Sequence, residues 1–227
     1  MIPDYWLPRP KLELSDKVRL ELETLYAKGI WNGEGDWLSA PLPVPKWVFL
    51  NWLADEKGLL MHGSGDPDIT LFEPRTPDDR SPDEFSKQTA VFAAGDGIWA
   101  IFYAIVDRHR YPLRMMNGAV QFETVPSCYG PMRYFFSLTE TALKREPWRE
   151  GTVYVLPRAG FERNVPFSIK GRSVLEPQYA NPEHVVPLAK VRVGPADFPF
   201  LRHIRGHDDE EVAMKAAEDP RGFPWLE

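Results

Sequence analysis

Residues 90–105 read AVFAAGDGIWAIFYAI, and the fold turns on how that run divides. Its first part, continued from Thr89, has the short apolar character of a strand, and Gly95-Asp96-Gly97 breaks it. Beyond the break Trp99, Phe102, Tyr103 and Val106 fall at helical spacing, and Asp96 is placed to cap the first free N–H groups. No other helical pattern stands out between residues 59 and 194. Around this strand-to-helix unit the chain alternates apolar runs with turns: GLLMHGS (58–64), TAVFAAG (89–95), AVQFETV (119–125), MRYFFSL (132–138), TVYVLPR (152–158), FERNV (161–165) and VVPLAKVRV (185–193). Many strands with one intervening helix predict an α+β fold dominated by β-structure.

Outward from this core, residues 1–58 read as a helical segment packed on or covering it. Ser15 caps a predicted helix over 16–27 whose Val18, Leu22, Leu25 and Tyr26 share a face, with Gly29 as its stop. A second predicted helix, KWVFLNWLADEKG, opens after Pro45 and closes at Gly58; its rings lie all round it, which marks it as buried. Residues 195–227 form a tail with a short helix capped by Asp208, and end on Phe223, Trp225 and Leu226, which either dock on the body or stay loose. The polar, proline-rich loop over 73–88 is long for a compact domain, as functional or disordered loops are.

Composition narrows the function classes. The 227 residues carry 27 Lys and Arg against 33 Asp and Glu, a net charge of −6, which argues against broad phosphate-backbone binding. A local basic patch of Arg108, Arg110 and Arg114 remains available to nucleic acid. One cysteine, Cys128, allows no intrachain disulfide and suits a reducing cytoplasm, where no membrane-spanning or targeting segment is expected. That cysteine reads as a buried, inert thiol rather than a nucleophile. Phosphate-loop and dinucleotide glycine signatures are missing. His203 and His207 stand four apart, a spacing that can share a metal, but Gly206 interrupts the segment and a third ligand is not evident, so a polar surface is the expected reading.

One constellation joins three distant segments: His62-Gly63-Ser64 at the end of a strand, Phe92-Ala93-Ala94 leading into the helix with Tyr103 eleven residues on, and Gln178-Tyr179 ahead of the last apolar strand. Taken singly, His62 reads first as a strand end at a turn and Tyr103 as helix core, and Gln178 reads also as a turn residue. Together they resemble the ADP-ribosyltransferase superfamily, whose members include proteins built like diphtheria toxin and the poly-ADP-ribose polymerases. That family has a His-Gly strand, a Tyr-Phe-Ala strand running into a helix with a second tyrosine, and a Glu-Tyr at the mouth of a late strand. Here phenylalanine stands at the first tyrosine position (Phe92) and glutamine at the glutamate position (Gln178). The resemblance spans about residues 59–194; residues 1–58 and 195–227 have no counterpart in it.

The resemblance implies a split antiparallel sheet and NAD as substrate, without a metal. Its NAD-binding residues would be His62, Gly63, Ser64, Phe92 and Tyr103, with Gln178 and Glu176 as the catalytic candidates. The implied acceptor of ADP-ribose is a protein, a small molecule or, less favoured by the charge, a nucleic acid. The chemistry needs a grip on the carboxamide, a hold on the ribose and stabilisation of a developing cation. A glycine on a strand edge offers N–H and C=O, and aromatic rings offer a flat wall. Gln178 can accept or donate a hydrogen bond at a ribose hydroxyl but supplies no negative charge. Glu176 would share its side in an extended strand, though Pro177 intervenes, and Glu183 lies five residues further on. A binding module on the same fold, catalytically silent, is the alternative.

Overall fold

The computed structural model describes residues 2–28, 36–38, 40–77 and 84–226. In chain order the elements are β1 (Leu7–Pro8), α1 (Asp16–Ala27), β2 (Asp36–Trp37), α2 (Lys46–Lys57), β3 (Leu60–Ser64), β4 (Val91–Ala94), α3 (Gly97–Ile105), β5 (Met115–Val125) and β6 (Cys128–Thr139). There follow α4 (Glu140–Leu143), β7 (Gly151–Leu156), β8 (Glu162–Arg163), β9 (Phe167–Ile169), β10 (Arg172–Leu175), β11 (Gln178–Asn181), β12 (Ala189–Val193), β13 (Arg205–His207) and α5 (Asp209–Glu218). The fold is α+β with two largely antiparallel sheets. One runs β1-β6-β5-β10-β9, with β13 parallel to β6; the other runs β2-β12-β7-β3-β4-β11-β8.

Helix α3 lies between the sheets, as its sequence requires: eight of its nine residues are buried and only Tyr103 is half-exposed. Phe102 meets Phe136 of the first sheet at 4.7 Å, while Ala100 and Ala104 press on Gly63 and Gly151 of the second. Small residues on one side and rings on the other let one short helix fill two different gaps. Its start is held by Asp96, which is fully buried. One carboxylate oxygen accepts from the Trp99 amide at 2.8 Å; the other accepts from Arg9 Nη2 at 2.7 Å and Tyr134 Oη at 2.6 Å. Burial opposes the Arg9 charge, but Asp96, Tyr134 and Asp55 outweigh it and raise its pKa. Burial likewise drives the Tyr134 phenol well above its ordinary range, with Asp96 adding to it.

The lead-in contributes more than helices. β1 pairs with β6, β2 pairs with β12, and α2 packs Leu50 against Gly97 with no room for a side chain there. Gly58 ends α2 in the left-handed conformation at φ 66°, as expected of a glycine stop. The expected stop of α1 at Gly29 lies outside the described residues, as does part of the 73–88 loop. At the other terminus, Phe223 packs on Trp6 at 6.0 Å and Phe135 at 5.6 Å, so the aromatic tail docks, although α5 buries no residue.

Several expectations change in detail. The β5–β6 hairpin extends well past AVQFETV and MRYFFSL because its ladder continues where the sequence no longer alternates. The short strands β9, β10 and β13 are too brief to carry a pattern, and only Glu162–Arg163 of FERNV pairs in a ladder. Cys128 is exposed rather than buried: it starts β6 directly after the hairpin turn, where Ser127 takes φ 64°.

Candidate functional site

The three motifs come together on neighbouring strands. His62-Gly63 lies on β3, Phe92 on β4 and Gln178 on β11, and these strands stand side by side. Register sets their faces. Met61 pairs with Ala94 and Ala94 with Gln178, while Ala180 pairs with Phe92. Gly63, Phe92 and Gln178 therefore share the sheet face that α3 covers, and Tyr103 is the half-exposed residue of that helix. His62 projects to the other face, its ring 4.7 Å from that of Phe72. All seven residues singled out from sequence, Ser64 and Glu176 included, are half-buried.

Between β3 and β4 the sheet splits. Their pairing consists of Met61 with Ala94 alone. In an antiparallel sheet successive residues direct N–H and C=O to alternate neighbours. Gly95 donates to Pro177 O at 2.7 Å, which turns Ala94 and Phe92 towards β3. On the far side Leu38 N donates to Lys190 O at 2.9 Å; Lys190 thus faces β2, Tyr154 faces β3 and His62 faces Tyr154. From either side of the sheet, the N–H and C=O of Gly63 point into the split, where no β4 residue is paired with it. Phe92 O, which would have been its partner, accepts instead from His62 Nδ1 at 2.7 Å. A carbonyl only accepts, so Nδ1 carries the proton and Nε2 presents a lone pair. Burial lowers the His62 pKa, the bond to Phe92 opposes that, and Arg108 and Arg75 add to it.

Glycine at position 63 is also dictated by packing, since a Cβ there would lie 1.9 Å from Ala100 O. The other residues are placed less simply. Ser64 Oγ accepts from Asp66 N at 3.1 Å and so shapes the turn after β3. Phe92 meets Phe85 edge-on at 6.4 Å, and Tyr103 adjoins Trp99 at 6.2 Å. Gln178 is held at both ends of its amide: Nε2 donates to Ser86 Oγ at 3.1 Å and Oε1 accepts from Asn164 Nδ2 at 3.2 Å. β11 begins at Gln178, so Glu176, beyond Pro177, is not part of the extended strand that would have aligned the two side chains. Its carbonyl lies 3.5 Å from Arg163 Nε.

A second arrangement escaped the sequence. Ser137 Oγ lies 2.6 Å from His207 Nδ1, and His207 Nε2 lies 3.2 Å from Asp209 Oδ1. Ser137 is fully buried and Thr139 also donates to Asp209 at 2.7 Å, so this chain ties β13 and the start of α5 to β6 and presents no nucleophile to solvent. His207, weighed from sequence as a metal ligand, is engaged on both ring nitrogens; burial lowers its pKa, with Asp209 opposing. Among the described residues no group of three potential metal ligands gathers, and no helix is long and apolar enough to cross a membrane. A cavity of about 480 Å³ opens at the other end of β3, beside Leu60 and Gly95.

No family model, curated protein or solved structure matches this chain.

Proposed function

We propose that this chain is a divergent ADP-ribosyltransferase-like protein that takes NAD as substrate, cleaves the nicotinamide–ribose bond and passes ADP-ribose to a protein, a small molecule or, less favourably, a nucleic acid. The observation that carries this reading is the direction of the Gly63 N–H and C=O into the gap between β3 and β4. A primary carboxamide needs one donor and one acceptor, and one residue's backbone supplies both. The glycine has no side chain to screen them. In this reading Phe92 and Tyr103 would offer rings to wall a flat heterocycle, and His62, from the other sheet face, an Nε2 that would accept from a ribose hydroxyl.

Gln178 occupies the place where the resemblance calls for a carboxylate. Its amide can bond a hydroxyl but offers no charge against the cation that develops on the ribose. Losing one such electrostatic contribution costs about 2.7–4 kcal/mol, so turnover would be slow. The hold of Ser86 and Asn164 on both ends of that amide favours a second reading, a module that binds NAD or ADP-ribose without cleaving it.

Incubation with NAD labelled in the adenylate portion separates the two. Nicotinamide release with label transfer supports the transferase. Calorimetric binding of NAD without release supports the silent module. Neither binding nor release removes both.

A further inference from the structure

The cavity at the Leu60 end of β3 lies outside the split at Gly63 and has a different character. Four cations line it, Arg9, Lys11, Arg158 and Arg163, against one carboxylate, Asp55. That balance reverses the excess of acids in the whole chain. Arg9 is spoken for, paired with Asp55 at 2.8 Å and with Asp96 at 2.7 Å. The other three cations form no ion pair with any carboxylate among the described residues.

Arg158 and Arg163 are exposed, but one ring engages both. Arg158 lies over the Tyr179 ring at 4.3 Å and donates to Phe161 O; Arg163 stands 5.9 Å from the same ring. Tyr179 is fixed by its place on β11, paired with Ala93 on one side and Arg163 on the other. One ring thus organises two guanidiniums at the mouth of a cavity, which lowers the entropy that flexible cations would lose on gripping an anion. The lining also has an apolar part: Leu60, Met132, Pro131 and Pro177. About 480 Å³ is of the size that small-molecule sites occupy.

We propose that this cavity binds a nucleotide, its phosphate held by Arg158, Arg163 and Lys11 and its base laid on the apolar wall. Guanidiniums match phosphate oxygens in forked geometry, and a planar ring covers the proline and leucine surface that the cations leave dry. This site goes beyond the NAD reading and does not depend on it: the carboxamide grip is at Gly63, and the anion grip is at Arg158 and Arg163.

Titration calorimetry of the full chain at low salt, with AMP as the probe, tests the proposal. AMP is expected to bind, more weakly as salt rises, and with unchanged affinity in saturating nicotinamide. The double variant Arg158→Gln/Arg163→Gln is expected to weaken it roughly ten- to a hundredfold, the effect of losing charged hydrogen bonds. Lys11→Gln, at an exposed side chain, is the second variant should the first lose its fold, and a severalfold loss is expected. Absence of AMP binding, or binding indifferent to these substitutions, overturns the proposal. Inorganic phosphate binding as tightly as AMP overturns the assignment of a base to the apolar wall, and so does adenosine alone binding as tightly. Failure here leaves nicotinamide binding at Gly63 untouched, and the converse also holds.

Discussion

Asp96 joins the cap of α3 to a buried ion pair, and replacing it tests the architecture. In Asp96→Ala the Trp99 amide loses its cap, and Arg9 and Tyr134 lose the carboxylate they face at 2.7 and 2.6 Å. Removing one partner of a buried ion pair costs about 3–5 kcal/mol, and losing a helix cap about 0.5–2 kcal/mol. Both effects pass through one carboxylate and do not simply add; Arg9 also keeps Asp55. A loss of about 4 kcal/mol is therefore expected. Asp96→Asn retains an oxygen for the Trp99 amide and is a good cap, so it should lose about 1 kcal/mol less. Urea denaturation followed by circular dichroism reads both as shifts in midpoint at constant slope. A loss below about 1 kcal/mol for Asp96→Ala would show that this carboxylate does not hold α3 between the sheets. Equal losses for Ala and Asn would show that the cap contributes nothing.

Gly63→Ala forces α3 away from β3, because the added Cβ would sit 1.9 Å from a backbone oxygen that cannot rotate aside. A loss of about 1–3 kcal/mol or more is expected in the same denaturation assay, and a loss near zero would contradict the close helix–strand approach. Gln178→Glu presents a carboxylate to Ser86 and Asn164, both able to donate to it. If the chain cleaves NAD, this variant should release nicotinamide roughly 10²–10³ times faster, and an unchanged rate would remove position 178 from the chemistry. Both His62 and His207 have lowered folded-state pKa values, chiefly through burial. The unfolded chain therefore binds more protons as acid is added, so their stabilising contribution is complete above about pH 6.5 and is lost as pH falls towards and through the folded values. The urea midpoint should fall between pH 7.5 and pH 5, less steeply in His207→Gln, and a midpoint independent of pH would oppose this assignment.

What was legible in the sequence was whatever depended on local pattern. The division of 90–105 into strand, cap and helix reads directly from Asp96 and the spacing of Trp99, Phe102 and Tyr103, and β4 and α3 fall where expected. The strand adjacency of His62, Phe92 and Gln178 also matches the order in which the motifs occur. Illegible were features made by pairing across distance. Strand β13 is three residues, Arg-Gly-His, stabilised by β6 and by the contacts of His207 with Ser137 and Asp209 seventy residues away in one case. Nothing in RGH alternates, so no local signal exists. Cys128 misled because burial of cysteine is a tendency of the residue type, whereas its exposure follows from a hairpin turn two residues upstream. The cavity cations were unreadable for the same reason: Lys11, Arg158 and Arg163 line one cavity only once β1 has paired with β6 and β8 with β11.

The split between β3 and β4 shows how a sheet can hold a donor and an acceptor open. Separating two strands ordinarily leaves unmet groups on both edges, and each buried one costs about 1–3 kcal/mol. Here one group of the β4 edge is met, because His62 Nδ1 takes the Phe92 carbonyl that a Gly63 N–H would have taken. The ring thereby takes one hydrogen bond of the missing rung from the opposite sheet face, and Gly63 is left without a paired residue on β4. The same histidine thus fixes its own tautomer, blocks closure of the strands and keeps the glycine available. Replacement of His62 by an apolar residue would free the Phe92 carbonyl to pair with Gly63, and the two strands would then be expected to zip together over the place where the carboxamide is proposed to bind.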